Sequence, residues 1–264
     1  MFPDPLSDPT LVPESVENVI AGRAYELIWL NGEGGLTFRV FDSEESFFVK
    51  WTPSGSGVDL ASEARKMEWA RRFISVPLVI GQGVDGQGSW LATARIDAEN
   101  AVSPRWMRDP RTAAVAMGTG LRALHDALPV VGCPFSWSVE ERLSRVEQKA
   151  GCGAFADHQW SEEFLGMGVD DALRELHSVP RPDLVVCHGD ACAPNTLIGE
   201  DGRCRSHTDL GSLGVADRWA DLAVAAWSTV WNYGPGLEDV VYDSYGLDPD
   251  PDKIRYYRLL WELD

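Results

Sequence analysis

The residues best suited to chemistry in this sequence are two carboxylates and an amide at short spacings. Asp190 follows His188 and Gly189, Asn195 lies five residues after Asp190, and Asp209 lies fourteen residues after Asn195. One carboxylate and one amide oxygen suit Mg²⁺, a hard ion that takes few protein ligands and completes its shell with water and phosphate. Asp190 is then free to accept a proton from a substrate hydroxyl. This division of roles is the one that phosphoryl transfer requires.

Short apolar segments on both sides of these residues predict the strands that hold them. The segments 184–187, 196–198 and 205–209 read as strands, and a hairpin-like return from 196 to 208 brings Asp209 back beside Asn195. Taken singly, Asp and Asn residues in loops are usually turn formers or caps. The complete set in this order favours a catalytic loop instead.

The first third of the chain is predicted to be rich in β-strands. Alternating apolar and polar residues indicate strands at 23–30, 36–42 and 46–52, with two more within 77–94, and helical periodicity appears at 59–74. The turn at 31–35, with the sequence NGEGG, contains residues that tolerate positive φ and predicts a hairpin.

After about residue 95 the pattern becomes mainly helical. Amphipathic helices are predicted at 109–128, 138–150 and 161–179, and the segment from residue 217 onward is helical as well. The prediction is therefore an α+β chain with two lobes, a small β-rich lobe over 1–94 and a larger, mainly helical lobe over 95–264. A hinge is expected near 91–94.

Charge and composition restrict the class of partner. The net charge of −18 repels phosphate backbones, which excludes nucleic acid as a favourable partner, and it either attracts a cationic ligand or serves only solubility. No apolar run is long enough to cross a membrane, and the acidic, proline-rich start lacks the features of a signal peptide. We therefore expect a cytoplasmic monomer or weak dimer. Its five cysteines are odd in number and form no CxxC pair, which argues against a disulfide framework and a structural zinc site. Cys187 and Cys192 are expected to be small buried hydrophobes.

Several motifs resemble one known family. The sequences HGDACAPN (188–195) and TDLGSLGVADRWADLA (208–223) resemble the aminoglycoside phosphotransferases, which are relatives of the protein kinases. The sequences LRALH (121–125), CPF (133–135) and IRYYRLLWELD (254–264) resemble the 3′-phosphotransferase branch. The resemblance implies a protein-kinase-like fold, ATP or GTP together with Mg²⁺ as cofactors, and a cationic aminoglycoside as substrate.

The resemblance also implies roles for individual residues of the larger lobe. Asp190 corresponds to the catalytic base, and Asn195 and Asp209 correspond to magnesium ligands. Asp221 corresponds to a buried aspartate that braces the loop around His188, so both of these residues are expected to give structural support.

In the smaller lobe the resemblance implies a nucleotide site. Kinase-like folds use a lysine on the third strand, paired with a glutamate on the following helix, to hold the α- and β-phosphates. Lys50 in FFVKW and Glu63, thirteen residues later, match this requirement. The turn with Asn31, Gly32, Gly34 and Gly35 is expected over the phosphates, although it is not a G-x-G-x-x-G. The segment 90–94, with Ala92 and Ala94, is expected to offer backbone groups to adenine.

Two departures from the family pattern concern phosphate and substrate binding. Many family members have an arginine where this chain has Ser212, and close relatives have an arginine and acidic residues where it has Trp227, Trp231 and Asn232. For Trp227 and Trp231, packing in the core at i and i+4 is the alternative to stacking on a sugar. The expected substrate-binding residues are Asp157, Glu162, Trp227, Trp231, Glu262 and Asp264, with Glu163 and Glu238 as further acidic candidates.

Three functions stay open on the sequence. The first is an ATP- and Mg²⁺-dependent kinase of an aminoglycoside hydroxyl, with the 3′-hydroxyl as the expected acceptor, which confers antibiotic resistance. The second is a kinase of another small amino alcohol or amino sugar on the same fold, because fold does not determine substrate. The third is a nucleotide-binding protein with little catalysis, against which the intact Lys50, Asp190, Asn195 and Asp209 argue.

Overall fold

A computed structural model of the chain describes residues 12–42, 46–156 and 158–264. The chain divides into two compact units, Met1–Asp97 and Ala98–Asp264. The boundary therefore lies three residues beyond the one predicted after residue 94. Residues 91–94, where a hinge is predicted, form the end of a strand of unit 1.

The described residues of unit 1 form a five-stranded antiparallel sheet and two helices. Its elements in chain order are α1 (Glu14–Ile20), β1 (Ala24–Leu30), β2 (Leu36–Phe41), β3 (Ser46–Pro53), α2 (Leu60–Ala70), β4 (Val79–Val84) and β5 (Gly88–Ala94). The spatial order of the strands is β1-β2-β3-β5-β4. The strands agree with the alternation seen in the sequence, whereas α1 was not predicted.

The two faces of this sheet have different roles because side chains alternate along a strand. Val49 on β3 lies in a buried cluster with Phe38 and with Val16 and Ile20 of α1. The next residue, Lys50, therefore points to the opposite face. The helix α2 packs against β4 and β5, and it supplies the partner of Lys50 described below.

Unit 2 contains seven helices and five short strands among the described residues. They are β6 (Glu99–Asn100), α3 (Pro104–Met107), α4 (Pro110–Ala127), α5 (Val139–Gly151), α6 (Val169–Leu176), β7 (Leu184–Cys187), β8 (Thr196–Ile198), β9 (Cys204–His207), β10 (Gly214–Asp217), α7 (Trp219–Tyr233), α8 (Glu238–Tyr245) and α9 (Pro251–Leu263). The strands form a β7-β10 pair and a β6-β8-β9 sheet.

The core of unit 2 is built around α7, which is buried along most of its length and packs against α4, α8 and α9. Close approach is possible at Gly118 of α4, where an added Cβ would lie 2.4 Å from the carbonyl oxygen of Val241. Within the described ranges no helix is long and apolar enough to cross a bilayer.

The prediction of one continuous helix over 161–179 is wrong. The structure has a 3₁₀ turn at Glu162–Phe164 and the separate helix α6. Gly166 between them has a φ of +83°, which an α-helix does not accommodate. The periodic apolar pattern continues through this break because Phe164 and the buried residues of α6 face the same core.

Candidate active site

The loop at 188–195 is held between two antiparallel strand pairs. It begins after β7, which pairs with β10, and it ends at β8, which forms the predicted hairpin with β9. The backbone N–H of Thr208 donates to the carbonyl oxygen of Asn195 at 3.0 Å. Asp209 is the next residue after Thr208, so the hairpin brings Asp209 back beside Asn195. This confirms the predicted return of the chain.

A buried aspartate fixes the start of this loop. The Oδ2 atom of Asp221 accepts the backbone N–H of His188 at 2.6 Å, and its Oδ1 atom accepts that of Gly189 at 2.8 Å. Burial alone would raise the pKa of Asp221, but the hydrogen bonds from His125 and from the backbone outweigh burial and lower it. Asp221 therefore remains an anion that orients two N–H groups of the loop.

His125 connects Asp221 to Tyr245 through two hydrogen bonds. Nε2 of His125 lies 2.9 Å from Oδ2 of Asp221, and Nδ1 lies 2.8 Å from the hydroxyl of Tyr245. That hydroxyl accepts a hydrogen bond from Arg218 at 2.9 Å, so its own proton is available to Nδ1 of His125. In this arrangement Nε2 carries the imidazole proton and donates a hydrogen bond to Asp221.

His125, Asp221 and Cys187 are the one group of metal-ligating side chains close enough to share an ion in the described part of the chain. Hydrogen bonds already engage the atoms concerned, because Cys187 donates to the carbonyl of Asp217 at 3.2 Å. Burial also raises the pKa of the Cys187 thiol. We therefore interpret this group as a structural network.

His188 joins the loop to the strand that precedes Asp209. Its Nδ1 accepts the backbone N–H of Asp190 at 3.2 Å, and its Nε2 lies 2.8 Å from the carbonyl oxygen of Thr208. A carbonyl can only accept, so Nε2 carries the proton and the imidazole is neutral. One side chain thus sets the backbone positions of both Asp190 and the residue before Asp209.

The carboxylate of Asp190 accepts a hydrogen bond at each oxygen. Sγ of Cys192 lies 3.1 Å from Oδ1, and Nδ2 of Asn195 lies 3.0 Å from Oδ2. Nδ2 of Asn195 also donates to the backbone carbonyl of Asp190 at 2.9 Å. Burial raises the pKa of the Cys192 thiol well above its usual value, as does the neighbouring Asp190. The side chain of Asp190 is thereby fixed in one orientation by its own loop.

The expected magnesium ligands have oxygen atoms suited to a hard cation. Because Nδ2 of Asn195 points at Asp190, Oδ1 of the same amide points away from it. Asp209 has φ 61° and ψ 51°, the left-handed region that non-glycine residues rarely occupy. Strain of this kind persists where surrounding structure imposes it, often at functional sites. Carboxylate and amide oxygens fit Mg²⁺.

Unit 1 contains the predicted lysine–glutamate pair. Nζ of Lys50 on β3 donates to Oε1 of Glu63 on α2 at 2.8 Å. The Glu63 side chain is 7% exposed and that of Lys50 is 25% exposed. The ammonium group is therefore held in place by a buried carboxylate, while part of the lysine side chain is exposed.

The glycine-rich turn of unit 1 is closed by its own asparagine. Oδ1 of Asn31 accepts the backbone N–H of Glu33 at 3.0 Å and that of Gly35 at 2.6 Å. Gly34 has a φ of +78°, a conformation that favours glycine, whereas Gly32 does not have a positive φ. Contact of this turn with phosphate stays a prediction.

Ala92 and Ala94 lie in β5, which is paired on both sides. The N–H of Ala94 donates to the carbonyl of Leu78 at 2.8 Å. One backbone donor expected to reach adenine is thus used by the sheet, and a role for this segment in nucleotide binding stays a prediction.

The two acidic residues at the C-terminus have partners inside unit 2. The carboxylate of Glu262 accepts the backbone N–H and the hydroxyl of Ser161, both at 2.6 Å. Asp264 accepts bonds from Arg142 at 2.9 Å and from Arg145 at 2.8 and 2.7 Å. Burial would raise the pKa of Asp264, but the two arginines lower it. A cationic substrate must therefore compete with these partners, and the expected substrate role of both residues stays a prediction.

The two tryptophans of α7 differ in burial. Trp227 is buried in the core, with its ring edge-on to Phe164 at 6.3 Å, as the packing alternative predicts. Trp231 is 45% exposed and stacks on Trp261, with ring centroids 5.0 Å apart and planes at 30°. Of the remaining expected substrate contacts, Glu162 is exposed and Asp157 lies outside the described residues.

Sequence reasoning missed several residues of this site. His125 lies in the LRALH motif but was given no role, and Cys192 was interpreted as a buried hydrophobe. All five cysteines, each within the described ranges, are free thiols. Ser228 accepts the backbone N–H of Ala193 at 2.8 Å, and no local sequence signal marks it.

The chain is similar over most of its length to proteins of one kind. A sequence model of the phosphotransferase enzyme family matches residues 30–257. An aminoglycoside 3′-phosphotransferase of Streptomyces ribosidificus is 37% identical over 257 residues, which cover 91% of this chain and 95% of the relative.

Two solved structures extend the similarity to three dimensions. The structure of aminoglycoside-3′-phosphotransferase of type VIII has a TM-score of 0.80 and 29% identity, covering 92% of this chain and 94% of that one. That of the aminoglycoside phosphotransferase APH(3'')-Id from Streptomyces rimosus, in complex with ADP and streptomycin, has a TM-score of 0.72 and 25% identity, covering 90% and 92%. The predicted two-lobed, protein-kinase-like fold class is confirmed.

Proposed function

This chain belongs to the phosphotransferase enzyme family, and from this membership we propose that it is an ATP-dependent aminoglycoside kinase. It transfers a phosphoryl group to a hydroxyl of the antibiotic, as the names of its relatives indicate, and it thereby confers resistance. We assign the 3′-hydroxyl as the acceptor because relatives at 36% and 37% identity are named 3′-phosphotransferases.

The geometry of Asp190 is the observation that carries this proposal. Its carboxylate is held by two donors and its backbone by His188, so it is preorganised to position a substrate hydroxyl and accept its proton. Proton transfer to a positioned base and placement of the nucleophile are what kinases require of their protein groups.

The remaining groups bind and orient the nucleotide. Oδ1 of Asn195 and the carboxylate of Asp209 would hold Mg²⁺, which when bound supplies positive charge to the phosphates. Lys50, fixed by Glu63, would contact the α- and β-phosphates, and the turn with Asn31 and Gly35 would cover them. The ADP complex of a structural neighbour supports the use of an adenine nucleotide, and we assign ATP over GTP on this basis.

A second candidate is favoured by one observation. The carboxylates of Glu262 and Asp264 are bound to partners in unit 2, which leaves fewer acidic groups for a substrate with many amino groups. A smaller amino sugar or amino alcohol would need fewer of them. The chemistry at Asp190 is the same for both candidates.

The deciding experiment measures ADP release with a panel of aminoglycosides, amino sugars and amino alcohols. Mass spectrometry and NMR of the product identify the phosphorylated hydroxyl, and the Asp190→Asn variant is the control for background hydrolysis. The proposal expects turnover of at least one aminoglycoside at its 3′-hydroxyl. Turnover of the small amino alcohols alone would replace it with the second candidate.

A further inference from the structure

The carboxylate of Asp190 is bound by a thiol as well as by an amide. Sγ of Cys192 lies 3.1 Å from Oδ1 of Asp190. A carboxylate can only accept a hydrogen bond, and a thiolate at this distance would repel it, so the sulfur carries its hydrogen and donates it. Asn195 holds the other oxygen. The two donors act on opposite sides of the group proposed to be the base.

The loop beside Cys192 is also held by a serine of α7. Oγ of Ser228 accepts the backbone N–H of Ala193 at 2.8 Å and Nδ2 of Asn232 at 3.1 Å. Ser228 is fully buried, and its hydroxyl oxygen thereby fixes the backbone of the residue that follows Cys192.

Asn232, one turn further along α7, holds Ser228 in turn. Nδ2 of Asn232 also donates to the backbone carbonyl of Ser228 at 2.8 Å. Asn232 is one of the residues that departs from the family pattern, and in this chain it contacts the serine that holds the backbone beside Cys192.

We infer that Cys192 is a positioning residue, whose S–H hydrogen bond holds the Asp190 carboxylate in its reactive orientation. The inference rests on the proposed role of Asp190 as the base. A thiol is a weak donor, so it orients the carboxylate while competing little with a substrate hydroxyl for the same oxygen. The backbone of the loop is held independently by Asp221.

Kinetics of three variants test the role. Cys192→Ala should lower kcat about tenfold while the KM values for nucleotide and acceptor stay within about twofold, because orientation of the base matters only for the chemical step. Cys192→Ser keeps a donor and should recover kcat to within about threefold of the wild type. Cys152→Ala removes an exposed thiol and should change nothing.

Three kinetic results would overturn the inference. They are an unchanged kcat in Cys192→Ala, a Cys192→Ser variant as slow as Cys192→Ala, or a fall in kcat that comes with raised KM values and a lowered melting temperature. The last of these would indicate a packing role.

Infrared spectroscopy tests the contact without any turnover. The S–H stretch absorbs in a region free of other protein bands, and the difference spectrum of wild type and Cys192→Ser isolates the band of Cys192. Asp190→Leu removes the acceptor and should move this band to higher wavenumber, as expected for a weaker hydrogen bond. If Asp190→Leu does not fold, Asp190→Asn should give a smaller shift in the same direction.

The two measurements separate failure of the inference from failure of the proposed function. An unmoved S–H band overturns the inference whatever the substrate is. A moved band in an enzyme that phosphorylates no aminoglycoside retains the contact and overturns the proposed function.

Discussion

Arg142 of α5 and Asp264, the last residue of the sequence, form an ion pair of 2.9 Å in the interior of unit 2. Their side chains are 2% and 5% exposed. Arg145 adds two further bonds to the same carboxylate, and Lys149 contacts the backbone carbonyl of Asp264. The end of α9 is thus fastened to α5 by three cationic side chains, where the family resemblance implies a carboxylate directed at the substrate.

Replacing Asp264 with asparagine should destabilise the protein by about 2–3 kcal/mol, because a buried arginine loses its counter-ion. The folded-state pKa of Asp264 is lowered, so its contribution is present above its unfolded pKa of about 3.9 and is lost as pH falls through the folded pKa. Urea unfolding at pH 7 and pH 3 should therefore show a difference between wild type and variant that shrinks in acid.

A matched control for Asp264→Asn is Glu175→Gln, which breaks the half-exposed pair of Glu175 with Arg255. Such pairs contribute at most about 1 kcal/mol. If the two variants lose equal stability, the buried pair is not the anchor described here. A large rise in aminoglycoside KM for Asp264→Asn, at unchanged stability, would instead favour the substrate role implied by the resemblance.

Asp190→Asn and Asp190→Ala should abolish phosphoryl transfer while nucleotide affinity stays close to that of the wild type. The carboxylate accepts the hydroxyl proton and positions the nucleophile, and neither task involves the nucleotide. Calorimetric titration with ADP and Mg²⁺, together with kcat, checks this. Equal loss of nucleotide affinity in both folded variants would show that Asp190 has a different role.

Asp209→Ala should weaken Mg²⁺-nucleotide binding more than Asn195→Ala, because it removes a full negative charge from the expected cation site. Asn195→Ala should lower kcat even at saturating Mg²⁺, because Nδ2 of Asn195 also orients Asp190. Activity measured as a function of Mg²⁺ concentration separates the two effects.

The control for these magnesium-site variants is Asp201→Ala, because Asp201 lies in the turn of the same hairpin and pairs with Arg205. It should leave the magnesium dependence unchanged. Unaltered magnesium dependence in Asp209→Ala would place the metal elsewhere.

Lys50→Met should raise the KM for ATP about tenfold or more, because a phosphate-binding cation is lost. Glu63→Gln should raise it less, since the ammonium remains but loses the carboxylate that holds it. Glu26→Gln breaks a more exposed pair with Arg39 on the same sheet and should leave the KM unchanged. Similar KM values for all three variants would exclude Lys50 from the nucleotide site.

His125→Leu should cost about 2–4 kcal/mol of stability, because it removes a donor from the buried carboxylate of Asp221. His125→Gln retains an N–H donor and should recover part of this loss. His177, which is exposed and pairs with Glu147, is the control. His177→Gln should have the same midpoint of urea unfolding as the wild type. Wild-type stability in His125→Leu would show that Asp221 is held by the backbone alone.

The local sequence determined much of this protein. Alternation along β2 and β3 and the periodicity of α2 and α4 predict those elements, because each pattern arises within one strand or helix. Lys50 and Glu63 lie in elements that the local pattern predicts, and the family resemblance implied that the two residues pair. The order and spacing of His188, Asp190, Asn195 and Asp209 were sufficient to predict a hairpin that brings the last two together.

Only the tertiary structure decided which side chains are available to a ligand. Glu262 and Asp264 look like free acidic groups in the sequence, but their partners lie 101 and 122 residues away along the chain. Trp227 and Trp231 have the same chemistry, and both rings contact Trp261 of α9. Trp227 also packs against Phe164 and is buried, whereas Trp231 is half-exposed. Such differences depend on contacts between distant elements, which no local pattern encodes, because burial and pairing are properties of the assembled core.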